Sequence, residues 1–174
     1  MNEQTLVLIK PDGVKRNLIG DIIKRFEERG LKVSKLVMLT ADEPTVREHY
    51  QLDNRDYLIH LGHVDITGWS EEKIEEKYQK SVKIVKDLQK FLLSGKIIKM
   101  ILEGPGAVSL ARKITGKTDP SLSPRGTIRG DFGEDSFDKA NAEGRAVYNL
   151  VHASGTLEEA DREIQLWFPT DSDI

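Results

Sequence analysis

The stretch Asn149-Leu150-Val151-His152-Ala153-Ser154 sets a histidine at the end of a short apolar run, with an amide before it and a hydroxyl after it. A charged helical pattern carrying Glu163 follows. An imidazole acts as a nucleophile when one ring nitrogen is free to attack and the other is hydrogen-bonded, so that tautomer and ring orientation are fixed. Glu163 or Ser154 could supply that second contact, and a histidine so held can take up a phosphoryl group and release it at neutral pH. A histidine satisfied near a helix N-terminus is the competing reading, and this stretch alone leaves both open.

Cationic groups occur in two other places that suit anion chemistry. Lys10 stands at the end of the apolar run Thr5 to Ile9, where Lys10-Pro11-Asp12-Gly13 reads as a turn. Arg125 and Arg129 lie in PRGTIRGDFG, among glycines that allow a backbone to approach a ligand. Three further patterns carry less. His60 and His63 have a spacing that suits a metal, but no carboxylate or third histidine stands at a matching offset. Gly116-Lys117-Thr118 imitates the end of a phosphate-binding loop, yet Ala111 occupies the position where that loop needs glycine. Gly104-Pro105-Gly106 lacks the third glycine of a dinucleotide fingerprint, because Ser109 stands there.

The elements that must position these groups follow from periodicity. Continuous apolar runs predict strands at Thr5 to Ile9 and Ile97 to Leu102, the first buried on both faces. Leu31 to Leu39 is a further strand, and a short one reaches His152. Helical spacing links Ile19, Ile22, Ile23 and Phe26; Asp42 and Pro44 start a helix running through His49 and Tyr50. Ser70 caps a long amphipathic helix with a stripe from Ile74 through Tyr78, Val82, Val85 and Leu88 to Leu92. A third core helix contains Ala107, Ala111 and Ile114, and Thr156-Leu157-Glu158-Glu159 is a capping box for the last one. Asn54 to Gly68 and Thr115 to Asn149 show no clear period. Alternating elements in a chain of this size predict one α/β sandwich domain with helices on one sheet face, close to the split βαβ arrangement.

Composition narrows the function classes. The 174 residues suit one domain, and 38% hydrophobic with 32% charged residues is ordinary for a soluble globular chain. A formal charge of -3 excludes a broad electrostatic footprint for nucleic acid, so any phosphate must be held by a local cluster of Lys and Arg. The absence of cysteine excludes disulfides and thiolate metal sites and is compatible with a reducing compartment. No apolar run approaches a membrane span or a signal peptide, which leads to the expectation of a cytoplasmic protein.

Taken together and in order, Lys10-Pro11-Asp12-Gly13, Gly126-Thr127-Ile128-Arg129-Gly130-Asp131-Phe132 and Asn149-Leu150-Val151-His152-Ala153-Ser154 closely resemble the nucleoside diphosphate kinases. The similarity runs over most of 4–57, 94–133 and 147–168. It implies a ferredoxin-like core, an antiparallel sheet with helices packed on it, and transfer of the γ-phosphoryl of a nucleoside triphosphate, typically ATP, to a nucleoside diphosphate through a phosphohistidine. The resemblance makes His152 the nucleophile, Glu163 its orienting partner and Ser154 a neighbour. Lys10, Arg112, Arg129, Tyr50 and Thr118 are implied to hold phosphates, and Asn149 to contact the sugar. Arg55 and Tyr57 match the family's loop arginine and base-stacking phenylalanine across a one-residue gap. Mg²⁺ is implied on the nucleotide phosphates, with no metal held by the protein, and a homo-oligomer, hexamer or tetramer, is implied as the assembly. A catalytically silent nucleotide-binding protein on the same fold is the alternative.

The chain departs from the family pattern in three places. Gly155 stands where the family usually has Asp. The stretch at about 134–146 is a longer loop than is common, and the helical segment at about 62–93 has no counterpart in the short members, so it is expected to be a peripheral addition to the nucleotide-binding edge.

Overall fold

The computed structural model describes residues 2–62 and 64–169. The chain runs β1 (Asn2–Ile9), α1 (Pro11–Lys15), α2 (Ile19–Glu27), β2 (Lys32–Thr40), α3 (Glu43–His49), α4 (Arg55–Ile59) and α5 (Glu71–Leu92). It continues with β3 (Lys96–Pro105), α6 (Ala107–Thr115), a 3₁₀ turn at Pro120–Leu122, α7 (Ile128–Phe132), α8 (Phe137–Ala142), β4 (Val151–Ala153) and α9 (Leu157–Trp167). The strands form one sheet in the order β2-β3-β1-β4, and each neighbouring pair is antiparallel.

Both faces of this sheet are covered, which corrects the expectation of helices on one face. Val7, Ile9, Ile98, Met100 and Leu102 pack with α2 and α6, while Leu6, Leu8, Ile97 and Ile101 pack with residues of α3, α4, α5 and α9. The continuous apolar runs in β1 and β3 already required this, because strand side chains alternate between faces and a run without polar gaps buries both. The edge strand β2 alternates between exposed and half-buried residues, as one side of its sheet edge is open.

Three irregular stretches prove to be ordered. Lys10 to Lys15 is a helical turn with Pro11 at its start, where a missing N–H costs nothing. A Cβ at Gly13 would lie 2.8 Å from Ile9 and 3.3 Å from the Leu150 carbonyl, so only glycine lets the two segments approach. Asn54 caps α4 by accepting from the Tyr57 amide. In the long stretch before Asn149, Thr127 and Ser136 cap α7 and α8 at their first turns. The expected extended loop at 134–146 therefore contains α8, and Arg145 bridges Asp135 and Glu143 beside it. Helices of five and six residues are too short to display a period, which is why the sequence shows none.

The segment expected to be peripheral is so for part of its length only. The first turns of α5 are largely exposed, but Val85 and Leu92 are fully buried in the core on the α9 face of the sheet. His63 lies outside the described residues, so the pairing of His60 with it carries no structural statement. His60 itself turns Nδ1 to the carbonyl of Asp56 in the preceding turn, at 2.9 Å.

Candidate active site

Pairing along β4 decides where the histidine goes. Val151 and Ala153 enter the core shared with α2 and α6, and His152, opposite Leu8, turns to the other face beneath α3 and α9. Its side chain remains 22% exposed, so one edge can meet a ligand while the rest is fixed. Nε2 lies 2.9 Å from Glu163 Oε2, and the same oxygen accepts from the Ser154 hydroxyl at 2.6 Å. Burial alone would raise the Glu163 carboxyl, but the charge and hydrogen bond of His152, with His49 and Ser154 beside it, bring it down to about 2. Glu163 is thus an ionised acceptor. Nε2 must carry the ring proton toward it, which leaves the lone pair on Nδ1.

A second group of residues assembles around Lys10 at the end of β1. Lys10 Nζ donates to Asn149 Oδ1 at 2.8 Å, and Asn149 Nδ2 donates to the Thr118 carbonyl at 2.9 Å. Arg129 is buried and its guanidinium donates to the carbonyls of Asn149, Gly116 and Val151 at 3.0, 3.1 and 2.7 Å. Burial first, then the charge of neighbouring Arg112, lowers Arg129 to about 10. Burial, reinforced by the charge of Arg129 and opposed by Asp12, lowers Lys10 to about 7. Three cations close together in a region of low polarity repel one another, and an anion placed among them relieves that repulsion.

The backbone between the two groups is strained. Leu150 is fully buried with φ +69°, a left-handed conformation that costs a non-glycine residue roughly 1–2 kcal/mol. Asp12 holds it there, since its Oδ2 accepts from the Leu150 amide at 3.0 Å while the Leu150 carbonyl accepts from the Lys10 amide at 2.8 Å. The kink lets Asn149 face Lys10 and His152 face Glu163 within four residues.

Most of the residues singled out in the sequence come together, and some do not. Tyr50 is buried with its ring 4.7 Å from that of His49, and burial raises its hydroxyl's pKa. Tyr57, Tyr50 and His152 line one cavity of about 130 Å³ together with Val85, Leu88 and Arg162. Arg55 is held elsewhere: it pairs with Glu75 at 2.8 Å and lies over the Tyr78 ring, both on α5. Arg125 is exposed, and the glycines near it serve the loop's own closure, as a Cβ on Gly130 would strike the Pro124 carbonyl at 2.0 Å. At Gly155 the amide donates to Glu159 Oε2 at 2.7 Å, so the last helix supplies the acceptor there.

Two residues had not been recognised from the sequence. In the sequence Asp12 reads as part of a turn, and His49 as a position in the helix that Asp42 and Pro44 start; neither sits in a pattern that distinguishes it from a structural residue. Among the described residues, His49, His152 and Glu163 are the group whose ligand atoms all lie within 4.8 Å of one another. The carboxylate is their common centre, and it is already committed to His152 and Ser154.

The family model for nucleoside diphosphate kinase matches residues 3–60 and 59–172. The nucleoside diphosphate kinase of Pyrobaculum aerophilum is 41% identical over 174 residues, covering 95% of this chain and 94% of its own. That of Borreliella burgdorferi is 37% identical over 166 residues, covering 95% and 87%. Among solved structures, a transition state mimic of the nucleoside-diphosphate kinase from Borrelia burgdorferi with bound vanadate and ADP matches with TM-score 0.82 at 36% identity, over 99% of this chain and 90% of that one. The NDP kinase from Pyrobaculum aerophilum matches with TM-score 0.83 at 37% identity, over 97% and 96%.

Proposed function

Because this chain belongs to the nucleoside diphosphate kinase family and has that family's activity, transfer of a phosphoryl group from nucleoside triphosphates to nucleoside diphosphates, we propose that His152 Nδ1 is the atom that carries the group. The observation that supports this is the bond from His152 Nε2 to the ionised Glu163, which leaves Nδ1 unprotonated. In the first half-reaction the Nδ1 lone pair attacks the γ-phosphorus, an N–P bond forms, and the bond to the β-phosphate oxygen breaks with its electrons leaving on the diphosphate. In the second half an oxygen of the acceptor diphosphate attacks the same phosphorus and the N–P bond breaks. Ring and protein return to their starting state.

Lys10, Arg112 and Arg129 neutralise the phosphate oxygens, with Tyr50 and Thr118 beside them, and Asn149 contacts the sugar. Phosphoryl transfer asks for in-line positioning and positive charge on the equatorial oxygens more than for acid or base catalysis. The family uses a divalent metal, and the residues here fit Mg²⁺ carried by the nucleotide: the site is lined by cations, and Glu163 is spent on His152 and Ser154. When bound with the nucleotide, such an ion would draw negative charge off the phosphates that these cations hold. Tyr57 stacks on the base, which any base permits. Arg55 joins the nucleotide only by exchanging Glu75 for it. The helical segment at 62–93 is an addition to this edge whose last turns have become part of the core. Exposed Leu36 and Met38 on the edge strand, with Leu122, Phe137 and Tyr148, support a homo-oligomer, hexamer or tetramer. No helix of the described residues is long and apolar enough to cross a membrane, and the cytoplasm is the compartment we assign. Incubation with γ-labelled ATP and Mg²⁺ tests the central step. An acid-labile, base-stable label at His152 is expected, and a label stable in acid or found elsewhere overturns it.

Glu163→Gln tests the orienting contact. The amide keeps the shape and loses the charge, so turnover should fall about 10- to 100-fold, the usual effect of altering a group that positions another. Steady-state kinetics decides, and a loss as complete as removal of His152 would show that Glu163 does more than orient.

Lys10 makes a separate prediction. With a pKa of about 7 it is largely neutral in the free protein at pH 8, and a phosphate beside it favours the charged form. Nucleotide binding should therefore take up close to ~1 proton per site at pH 8, where the phosphates themselves are fully ionised. Calorimetry in two buffers of different ionisation enthalpy measures this directly. Equal heats in both buffers would mean that Lys10 does not change its protonation state on binding.

A further inference from the structure

His49 ends α3 on the covered side of His152, and packing alone does not account for it. It is 3% exposed, its ring centroid lies 5.6 Å from Trp167, 4.7 Å from Tyr50 and 4.6 Å from His152, and its ring stands at 84° to that of His152. A phenylalanine would fill the same space without burying polar atoms, and burying a polar ring costs free energy unless its nitrogens are engaged. The engagement is specific. Trp167 Nε1–H donates to His49 Nδ1 at 3.3 Å. An indole is a donor only, so this bond fixes the lone pair on Nδ1 and the ring proton on Nε2.

The nitrogen locked in this way stands beside the Glu163 carboxylate. His49 Nδ1 lies 3.4 Å from Glu163 Oε1, the oxygen that His152 does not use, and Arg162 approaches the same oxygen only to 3.7 Å. Oε2 by contrast takes both strong bonds, from His152 and Ser154. A donor at His49 would draw Oε1 toward itself and rotate the carboxylate off His152; a lone pair there repels Oε1 and leaves the charge concentrated on Oε2. We propose that His49 is a positioning residue for phosphoryl transfer, which, locked as an acceptor by Trp167, turns Glu163 onto Nε2 of His152 and so keeps Nδ1 available for phosphorus. Burial first, then the charges of His152, Arg162 and Lys10 against that of Glu163, hold its pKa at about 3, so it remains neutral when His152 becomes a charged phosphoimidazole.

This rests on His152 as the phosphoryl carrier, and the test separates the two. Two-bond ¹H–¹⁵N spectra of the histidine rings report the His152 tautomer in the free protein without any phosphorylation. Single-turnover labelling at saturating ATP and the KM report chemistry and binding. In the wild type His152 should be the Nε2–H tautomer. His49→Phe keeps the ring and removes the acceptor; His152 should become a mixture of tautomers, with labelling slowed about 10- to 100-fold and KM unchanged within ~2-fold. His49→Asn returns an acceptor oxygen near the Nδ1 position and should restore both the tautomer and most of the rate. A folded His49→Phe protein with pure Nε2–H tautomer and wild-type labelling overturns the assignment, as does an Asn variant as impaired as Phe. Should His49→Phe fail to fold, Trp167→Phe removes the same hydrogen bond from the other side, and an unchanged His152 tautomer there overturns it equally. Absence of label in the wild type would count against His152 as carrier, while the tautomer contrast would still decide the role of His49.

Discussion

His152→Ala should abolish exchange, with residual turnover below about one part in 10⁴ of wild type, and should leave the fold and nucleotide binding intact. A covalent route through one atom has no partial form: without Nδ1 the two half-reactions cannot be separated, and the other nitrogens close by are committed, His49 Nδ1 to the Trp167 indole and Lys10 Nζ to Asn149 Oδ1. Ser154 shares the Glu163 carboxylate with His152, but its hydroxyl donates to it at 2.6 Å and is fully buried. The fold should tolerate the change because His152 lies on a three-residue edge strand held by backbone pairing to β1 and retains 22% exposure. Removing it does leave Glu163 Oε2 with Ser154 alone, so a modest loss of stability is expected, on the order of 1–2 kcal/mol. Circular dichroism and titration with a fluorescent nucleotide establish that the variant is folded and binds; ³²P exchange then measures turnover. Exchange at a tenth of the wild-type rate by a folded variant would sink the covalent mechanism.

How much of this could be read from the sequence depended on whether a residue's role was local. The strands β1 and β3, the helix starts at Asp42, Ser70 and Thr156, and the short strand that carries His152 were all legible, because caps and apolar periods are properties of neighbouring residues; the structure carries that strand one residue past the histidine, to Ala153. The residues that match the family's motifs were legible through that resemblance alone, and Lys10, Asn149 and Arg129 among them do meet. What was not legible was geometry created by contacts between distant segments. Asp12 matters because it holds the Leu150 amide 138 positions away, and His49 because Trp167 reaches it across 118. Neither interval leaves a mark in the local pattern. The one-face sandwich was a misreading of available information, since two-sided burial of the central strands was visible in their unbroken apolar runs. Arg55 is held away from the other site residues for a different reason: α5 offers it Glu75 and Tyr78 as partners.

Replacement of Arg129 by lysine, which keeps the charge, should both destabilise the enzyme and slow its chemistry. The guanidinium donates through Nε and both terminal nitrogens to the carbonyls of Asn149, Gly116 and Val151. Two of these carbonyls flank Leu150, whose φ of +69° is held against its own strain. Arg129 therefore fixes the backbone that aims Asn149 and His152, and in the proposed mechanism it has a second duty, offering its remaining N–H groups and charge to phosphate. A lysine ammonium carries the charge on a single atom and cannot match the fork, so at most one of the carbonyls keeps its partner. Leaving buried carbonyls unpaired costs about 1–3 kcal/mol each, and a net loss on the order of 3 kcal/mol is expected after local relaxation. For a chain of this size that lowers the Tm by roughly 6–12 °C. With the strained turn released, Nδ1 of His152 no longer holds its line to phosphorus, and kcat should fall about 100-fold or more. Thermal unfolding and single-turnover labelling, measured on the same preparation, separate the two duties. A variant that melts with the wild type but loses turnover would mean that Arg129 serves phosphate alone; one that is destabilised yet turns over normally would mean that the turn at Leu150 does not aim the nucleophile.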